Sequence, residues 1–324
     1  MTQNTGTLGT FALVGIREDL ADVISNVSPE ETPFISNIGS SRVRNTFTEW
    51  QTDSLAAAST SNAQIQGDAY TYTSPSPTTR VGNYTQILRK TAQTTYTADA
   101  VNTAGRAREH LYQVVKRGRE MRRDKEAIML NNQASVAGTS TIASALGGFP
   151  AWLETNARRG VGGADGGYNS GTKVVDAATD STTAQRTFTE ELLKDMLQDV
   201  YENSDSSPST LYMSPFQKRK FSSFTGIAEL RNPVQGRGQA SIIGAADTYI
   251  SDWGTLTTVV DRFMRSREVF AVNHEYVEAG VLRPLQQRNP AEDSDARKTV
   301  LIEECTLKVK NEAAHGLLAD LTTS

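Results

Sequence analysis

The sequence predicts an α+β fold, because one long helical pattern, a mixed stretch and a mainly strand-like C-terminal part follow one another along the chain. From Ala104 to Ile128, apolar residues recur at spacings of three and four, which is typical of a helix. From Thr299 to Val309, apolar residues lie mainly on one parity, which is typical of a strand with one buried face. The 38 threonines add to this expectation, because threonine suits half-exposed strands.

Composition and charge exclude several classes of protein. The 324 residues carry a formal net charge of −4, which repels nucleic acid and anionic membranes, so we expect neither sequence-specific DNA binding nor membrane binding. Cys305 is the single cysteine, which excludes an intrachain disulfide and a cysteine-built metal site. The sequence has no signal-peptide pattern and no run of about 18 apolar residues, so we expect a protein made and used without crossing a membrane.

The first predicted region, residues 1–42, has the character of an arm. Its stretch from Ile16 to Val27 has apolar residues at helical spacing, but the region carries too little apolar sequence for a core of its own. We therefore expect the arm to contact another subunit through Phe11, Ile16 and Leu20.

The second region, residues 43–97, predicts a long hairpin with a polar tip. Two strand-like runs, Val43 to Thr52 and Arg80 to Tyr96, flank a span rich in Ala, Ser, Thr, Gln and Gly. Because an isolated two-stranded hairpin is at best marginally stable in water, this one must lean on another surface. The aromatic residues predicted to make that contact between subunits are Phe47, Trp50, Tyr70 and Tyr72.

The third region, residues 98–137, predicts a spine helix. A helix of roughly 35 residues would span about 50 Å at 1.5 Å per residue. Its basic run includes Arg119, Arg122 and Arg123, for which the sequence leaves three interpretations open. The run is a solvated or intrachain face, a subunit contact in which arginines pair with carboxylates, or a nucleic-acid patch.

The last two regions are residues 138–265, predicted as an α/β domain, and residues 266–324, predicted as strands that return to the sheet beside the spine helix. In the α/β domain, Thr187 and Glu190 have capping-box spacing and predict a helix start, and Ser209 to Met213 predicts a buried strand. Pro215 to Phe224 predicts a second, short helix.

The search for catalytic or ligand-binding chemistry predicts none. The three histidines, His110, His274 and His315, are not at metal-ligand spacing, and Cys305 falls on the inward face of its predicted strand. The segment 166–173, GGYNSGTK, departs from the phosphate-loop motif, because Thr172 separates the last glycine from Lys173. We therefore expect no catalytic residue, no cofactor and no metal, and a protein that is not an enzyme.

Several segments resemble one family. They are NYTQILRKT at 83–91, the span from Asn102-Thr103-Ala104-Gly105-Arg106 to Arg123-Asp124-Lys125-Glu126, GGFPAWLETN at 147–156 and FSSFTGIAELRN at 221–232. In this order they resemble the major capsid proteins of tailed bacteriophages, and more narrowly the phage SU-ten type. The resemblance covers essentially the whole chain, and it implies the Hong Kong 97-like capsid fold with an N-terminal arm, an extended E-loop hairpin, a P-domain with the spine helix and a β-sheet, and an α/β A-domain.

The resemblance also implies the function. Copies would form hexamers and pentamers of an icosahedral shell that encloses double-stranded DNA in the virion, after synthesis and assembly in the cytoplasm of a bacterial host. Decoration, portal and scaffolding proteins are the expected further partners. Two alternatives stay open at this point, namely an encapsulin-like nanocompartment shell and, from a different class, a threonine-rich adhesion protein that binds glycans.

Overall fold

The computed structural model describes residues 30–101, 108–224, 247–291 and 294–323. The helices in these ranges are α1 (Pro33–Asn37), α2 (Tyr96–Ala100), α3 (Glu109–Met129), α4 (Phe149–Trp152), α5 (Glu190–Asn203) and α6 (Pro215–Phe221). Among the described residues, none of the helices combines the length and the apolar character needed to cross a lipid bilayer.

The strands are numbered in chain order. They are β1 (Gly39–Arg42), β2 (Phe47–Thr52), β3 (Thr79–Tyr84), β4 (Gln86–Thr95), β5 (Ala157–Arg158), β6 (Gly167–Asn169), β7 (Val174–Asp176), β8 (Thr210–Met213), β9 (Thr248–Ser251), β10 (Gly254–Val260), β11 (Val269–Val272), β12 (Val277–Arg288), β13 (Ala296–Val309) and β14 (Gly316–Leu318).

One main sheet supports the spine helix α3. Its strand order is β1-β12-β13-β4, in which β13 pairs antiparallel with both neighbours. Cys305, Leu307 and Val309 of β13 are buried, as the strand periodicity predicts. Helix α3 packs on β4 and β13, and Lys125 of α3 forms an ion pair with Glu303 of β13 at 2.5 Å.

The second main sheet has six strands in the order β5-β14-β11-β8-β10-β9. All four residues of β8 are buried, and α5 packs on β14 through Met196 and Val200. Helix α5 and this sheet close the predicted α/β region around a buried cluster that includes Leu193, Leu197 and Phe221. Phe149, Tyr212 and Phe270 belong to a second cluster that extends from this sheet to the sheet beside α3.

The hairpin predicted for residues 43–97 consists of β2 and β3 alone, which pair antiparallel from Phe47–Tyr84 to Thr52–Thr79. The second predicted run, Arg80 to Tyr96, divides after Tyr84, and its outer part forms β4, which pairs with β13. Every residue from Asp53 to Arg80 is exposed. The span between the strands therefore extends from the subunit without a core of its own.

The spine helix is shorter than the sequence predicts. Helix α3 has 21 residues, which corresponds to about 31 Å. Its N-cap Arg108 has extended backbone angles, φ −143° and ψ 115°, and Leu130 already leaves helical geometry. Asn131 and Asn132 follow, and asparagine favours caps and turns because its side chain competes for backbone hydrogen bonds. The side chain of Asn132 indeed bonds the backbone of Ala178.

The start of α5 also differs from the sequence prediction. The N-cap is Thr189, whose Oγ1 accepts a hydrogen bond from Leu192 N at 3.3 Å, and not Thr187. Leu193, Met196, Leu197 and Val200 form the buried face of α5, whereas Tyr201 is exposed.

The C-terminal region 266–324 contributes to both sheets. Strands β12 and β13 lie in the sheet that supports the spine helix, whereas β11 and β14 lie in the six-stranded sheet. Strand β12 was not predicted, because Pro284 and a polar outer half obscure its pattern. Pro284 lies at an irregularity of the ladder between Arg283 and Gln286, where its missing N–H is tolerated.

Candidate assembly surfaces

Aromatic side chains fix the base of the hairpin to its own subunit. The rings of Trp50 and Trp152 are 5.3 Å apart, and Trp152 stacks on Tyr168 with centroids 5.9 Å apart and planes within 3°. The ring of Phe47 lies 4.6 Å from that of Tyr84 on the paired strand. Both Phe47 and Trp50, which the sequence assigned to subunit contacts, therefore have aromatic partners within the chain.

A glycine allows this close packing. A Cβ on Gly82 would lie 2.7 Å from Cζ of Phe47 and 2.8 Å from the backbone oxygen of Thr48. Because the second of these atoms belongs to the backbone, relief would require the strands to move apart. The narrow base of the hairpin depends on the absence of a side chain at this position.

The span between β2 and β3 carries four highly exposed large apolar side chains. Tyr70 is 89% exposed and Tyr72 is 91% exposed, and Leu55 and Ile65 also lie almost fully in solvent. Single exposed apolar residues are ordinary, but four on one protruding segment form a surface suited to another molecule. The two predicted tyrosines are therefore accessible to a partner.

A cleft of about 640 Å³ lies beside the foot of the hairpin. Asp53 and Pro77 line one side, and Trp152, Glu154 and Glu312 line the other. Burial, followed by the charge of Glu312, raises the pKa of the Glu154 carboxyl. The cleft is thus partly aromatic and partly acidic.

The three predicted arginines of α3 contact their own chain. Arg119 pairs with Glu30 at 3.1 Å, and Arg123 lies 5.4 Å from the ring centre of Phe263. Arg122 donates through Nε to Oγ1 of Thr32 at 2.7 Å and through a terminal nitrogen to Oγ of Ser36 at 2.8 Å. The intrachain interpretation accounts for these contacts, and a further contact with a neighbouring subunit stays a prediction.

One apolar patch of the spine helix was not predicted as a surface. Leu111 and Val115, four residues apart, are 61% and 50% exposed. Residues at this spacing share one face of a helix. The sequence pattern placed Leu111 on the buried stripe, and only the packing of α3 on its sheet shows that this end of the stripe faces outward.

The predicted arm contacts Phe11, Ile16 and Leu20 lie outside the described residues. The described chain begins with the segment that leads to α1. The carboxyl group of Glu126 in α3 accepts hydrogen bonds from the backbone N–H groups of Phe34 and Ile35 at 2.7 and 2.8 Å. The spine helix thereby fixes the chain that follows residues 1–29.

The segment and the side chains considered above for catalysis or ligand binding are part of the packed fold. The GGYNSGTK segment forms β6 and the turn that leads to β7, and the described residues hold no group of three or more potential metal ligands from His, Cys, Asp and Glu. Burial raises the pKa of the Cys305 thiol to about 12 and lowers that of His315 to about 3. His110 bonds the hydroxyls of Thr94 and Thr299.

Three solved structures from phages share this architecture. The capsid asymmetric unit of cyanophage A-1(L) matches with a TM-score of 0.64 at 10% identity, over 97% of this chain and 98% of that one. A structure of Gordonia phage Cozz matches with a TM-score of 0.60 at 11% identity, over 99% and 98%. A structure of phage G, with major capsid and decoration proteins, matches with a TM-score of 0.53 at 8% identity, over 99% and 100%. The α+β fold with its spine helix and protruding hairpin is the Hong Kong 97-like fold of a phage capsid subunit.

The chain belongs to the SU10 major capsid protein family, whose model matches residues 1–322. A curated relative, the major capsid protein of Escherichia phage Phieco32, is 27% identical over 340 aligned positions, which cover 94% of each chain. The protein is thus a major capsid protein of a phage. The family match supports the interpretation as a capsid protein and not the two alternatives, an encapsulin-like nanocompartment shell or a glycan-binding protein.

Proposed function

We propose that copies of this chain assemble through hexamers and pentamers into an icosahedral shell that encloses double-stranded DNA. The observation that carries the proposal is the span between β2 and β3, where Leu55, Ile65, Tyr70 and Tyr72 lie in solvent while the base of the hairpin packs on Trp152. A neighbouring copy that covers this span would bury the aromatic area that stabilises many protein interfaces.

The electrostatics support enclosure without specific DNA binding. With a net charge of −4, the subunit confines DNA and does not adhere strongly to it. Three prominent spine-helix arginines already contact groups of their own chain. Sequence-specific recognition is therefore not part of the proposed function.

The proposal includes no catalytic activity and no cofactor. The proposed domain boundaries lie after residues 42, 97, 137 and 265. They separate the arm, the E-loop, the spine helix of the P-domain, the A-domain and the segment that returns to the P-domain. Synthesis and assembly take place in the host cytoplasm, and the partners beyond copies of the chain are portal, scaffolding and decoration proteins. The decoration protein in the phage G structure supports that last class.

Replacing the tip tyrosines tests the proposal. The double variant Tyr70→Ser and Tyr72→Ser removes two rings that have no role in the subunit core, so we expect a folded subunit that forms few or no closed shells. Electron microscopy of size-fractionated material measures shell formation, and circular dichroism measures folding.

The matched control is Tyr201→Ser on α5, which removes another exposed ring, 58% exposed, away from the hairpin. We expect this variant to form shells as the unmodified chain does. Normal shells from the tip variant would refute the proposed role of the hairpin tip, and wild-type protein that stays monomeric under all conditions would refute the shell itself.

A further inference from the structure

Two buried carboxyl groups meet where the spine helix contacts the six-stranded sheet. Glu126 of α3 and Asp261, which directly follows β10, are both fully buried. Their side chains are adjacent, so that one can bond the other when a proton lies between them. Such a pair joins the helix on one sheet to the strand end of the other.

The hydrogen bond between these two groups requires a proton. An ionised carboxylate has only acceptor atoms, so two carboxylates cannot bond each other without one proton between them. Oδ1 of Asp261 accepts from Phe263 N at 2.8 Å, while Oδ2 finds no other donor among the described residues. Both oxygens of Glu126 accept N–H groups of α1, and these amides do not reach Asp261.

No cation compensates the pair within the described residues. Arg122 and Arg123 of α3 are directed to Thr32, Ser36 and Phe263, and Lys125 pairs with Glu303. From β8, the hydroxyl of Tyr212 bonds His274 and Asn37, and Arg262 beside Asp261 is exposed. The shared proton is therefore the means by which the pair avoids two buried like charges.

The titration of the pair agrees with this geometry. Burial is the largest cause that raises the pKa of the Glu126 carboxyl, and with Asp261 it brings that pKa to about 8. Burial also raises the pKa of Asp261, while the hydrogen bond from Glu126 lowers it. At neutral pH the pair therefore holds one proton, which bonds the two carboxyl groups to each other.

We propose that Glu126 and Asp261 form a proton-dependent latch between the spine helix and the six-stranded sheet, closed while the pair shares one proton and opened when a base in solution removes it. A cleft of about 460 Å³, lined by Thr32, Arg122, Val259 and Val260, brings solvent close to this junction. Because Glu126 also holds α1, the latch adjoins the chain that follows the N-terminal arm.

The direction of the pH dependence follows from linkage. In the closed latch Glu126 holds its proton up to about pH 8, whereas in an opened latch its pKa returns towards 4.5. Between pH 4.5 and about pH 8, opening therefore releases one proton. In this range the equilibrium constant for opening rises about tenfold per pH unit. Above about pH 8 both states are ionised, and the opening constant becomes independent of pH.

Hydrogen exchange tests the latch on the full chain. Protection factors, corrected for the intrinsic pH dependence of exchange, are measured by mass spectrometry from pH 5.5 to 9.5 for peptides that contain residues 261–264. We expect protection to fall about tenfold per pH unit up to about pH 8 and to level off above it.

The variant Asp261→Asn tests the pair itself. Its Oδ1 still accepts from Phe263 N, and its Nδ2 donates to an ionised Glu126, so no shared proton is needed and we expect protection that does not change with pH. The control Glu304→Gln changes a buried carboxyl that bonds Thr85 and Arg283 and no second carboxyl. We expect this control to keep the wild-type slope.

Protection of the wild type that is constant between pH 5.5 and 8 would overturn the proposal, whether or not the asparagine variant folds. A folded Asp261→Asn variant with the wild-type slope would also overturn it. The measurement concerns the subunit and needs no shell, so failure of the latch and failure of the assembly proposal are separate outcomes.

Discussion

At the scale of residues, the aromatic side chains of the hairpin divide into two groups. Trp50 and Phe47 contact Trp152 and Tyr84 within the chain, whereas Tyr70 and Tyr72 at the tip face solvent. Aromatic residues therefore fix the base of the hairpin to the subunit and, at the other end, form an exposed surface that a partner can contact. The sequence shows where the rings are, but the division depends on contacts between residues distant in sequence, Phe47 with Tyr84 and Trp50 with Trp152.

Replacement of Trp50 should act first on the stability of the subunit. Because the ring is partly buried on Trp152, we expect Trp50→Ala to lower the free energy of unfolding by about 1–2 kcal/mol, less than the ~3–5 kcal/mol of a fully buried tryptophan. Urea unfolding measures the change. Trp50→Phe keeps an aromatic contact and should cost less; equal stability of Trp50→Ala and wild type would show that the ring contact is not formed.

At the scale of elements, helix starts depend on one hydrogen bond that a sequence pattern does not locate. Thr187 and Thr189 both precede α5, and only Oγ1 of Thr189 accepts a backbone N–H. The acidic residues Glu190 and Glu191 in the first turn add a favourable interaction with the helix dipole.

The two threonines form a matched pair for a test. We expect Thr189→Ala to lower the free energy of unfolding by about 1 kcal/mol, the usual effect of losing an N-cap side chain. Thr187 is exposed, so Thr187→Ala should change stability by less than about 0.5 kcal/mol. Chemical denaturation of both variants gives the comparison, and the reverse order of effects would place the cap at Thr187.

Elements with strong local periodicity could be predicted from sequence, and those defined by pairing could not. The spine helix, β13 and the buried strand β8 were predicted because their apolar spacing is regular. Strand β12 was missed because its outer half is exposed, and the short strands β5 and β14 gain their identity only from distant partners. The Glu126–Asp261 pair was missed for the same reason, because the two residues are 135 positions apart.

At the scale of the whole molecule, one aromatic core joins the two sheets. Phe149 packs between Phe34 of α1, Phe270 of β11 and His315, with ring centres 5.3 to 5.5 Å apart. His315 is fully buried there and accepts a hydrogen bond from Asn273 N through Nδ1. Burial in this core strongly disfavours the charged form of the His315 imidazole.

His315 should make the molecule sensitive to acid. Burial, followed by the charge of His274, lowers its pKa from 6.5 to about 3, so the neutral imidazole stabilises the fold above pH 6.5 and this contribution is lost as the pH falls. Relative to His315→Gln, the wild type should lose about 1.4 kcal/mol per pH unit between pH 6 and 4.5. Urea unfolding at several pH values measures this difference.

His110→Gln provides the comparison for this test, since His110 lies far along the chain beside Thr94 and Thr299. We expect the His110 variant to retain the acid slope that His315 contributes. An unchanged slope in His315→Gln would mean that other groups cause the acid sensitivity.

The position of β14 has a consequence for the fidelity of shell building. This strand lies inside the six-stranded sheet, between β5 and β11, and not at its edge. A chain interrupted before Gly316 leaves β5 without its paired strand and β11 unpaired on one side, and it exposes the apolar face of α5 that packs on β14. Truncated products therefore cannot complete the fold, and the shell draws only on chains that have been synthesised through this strand.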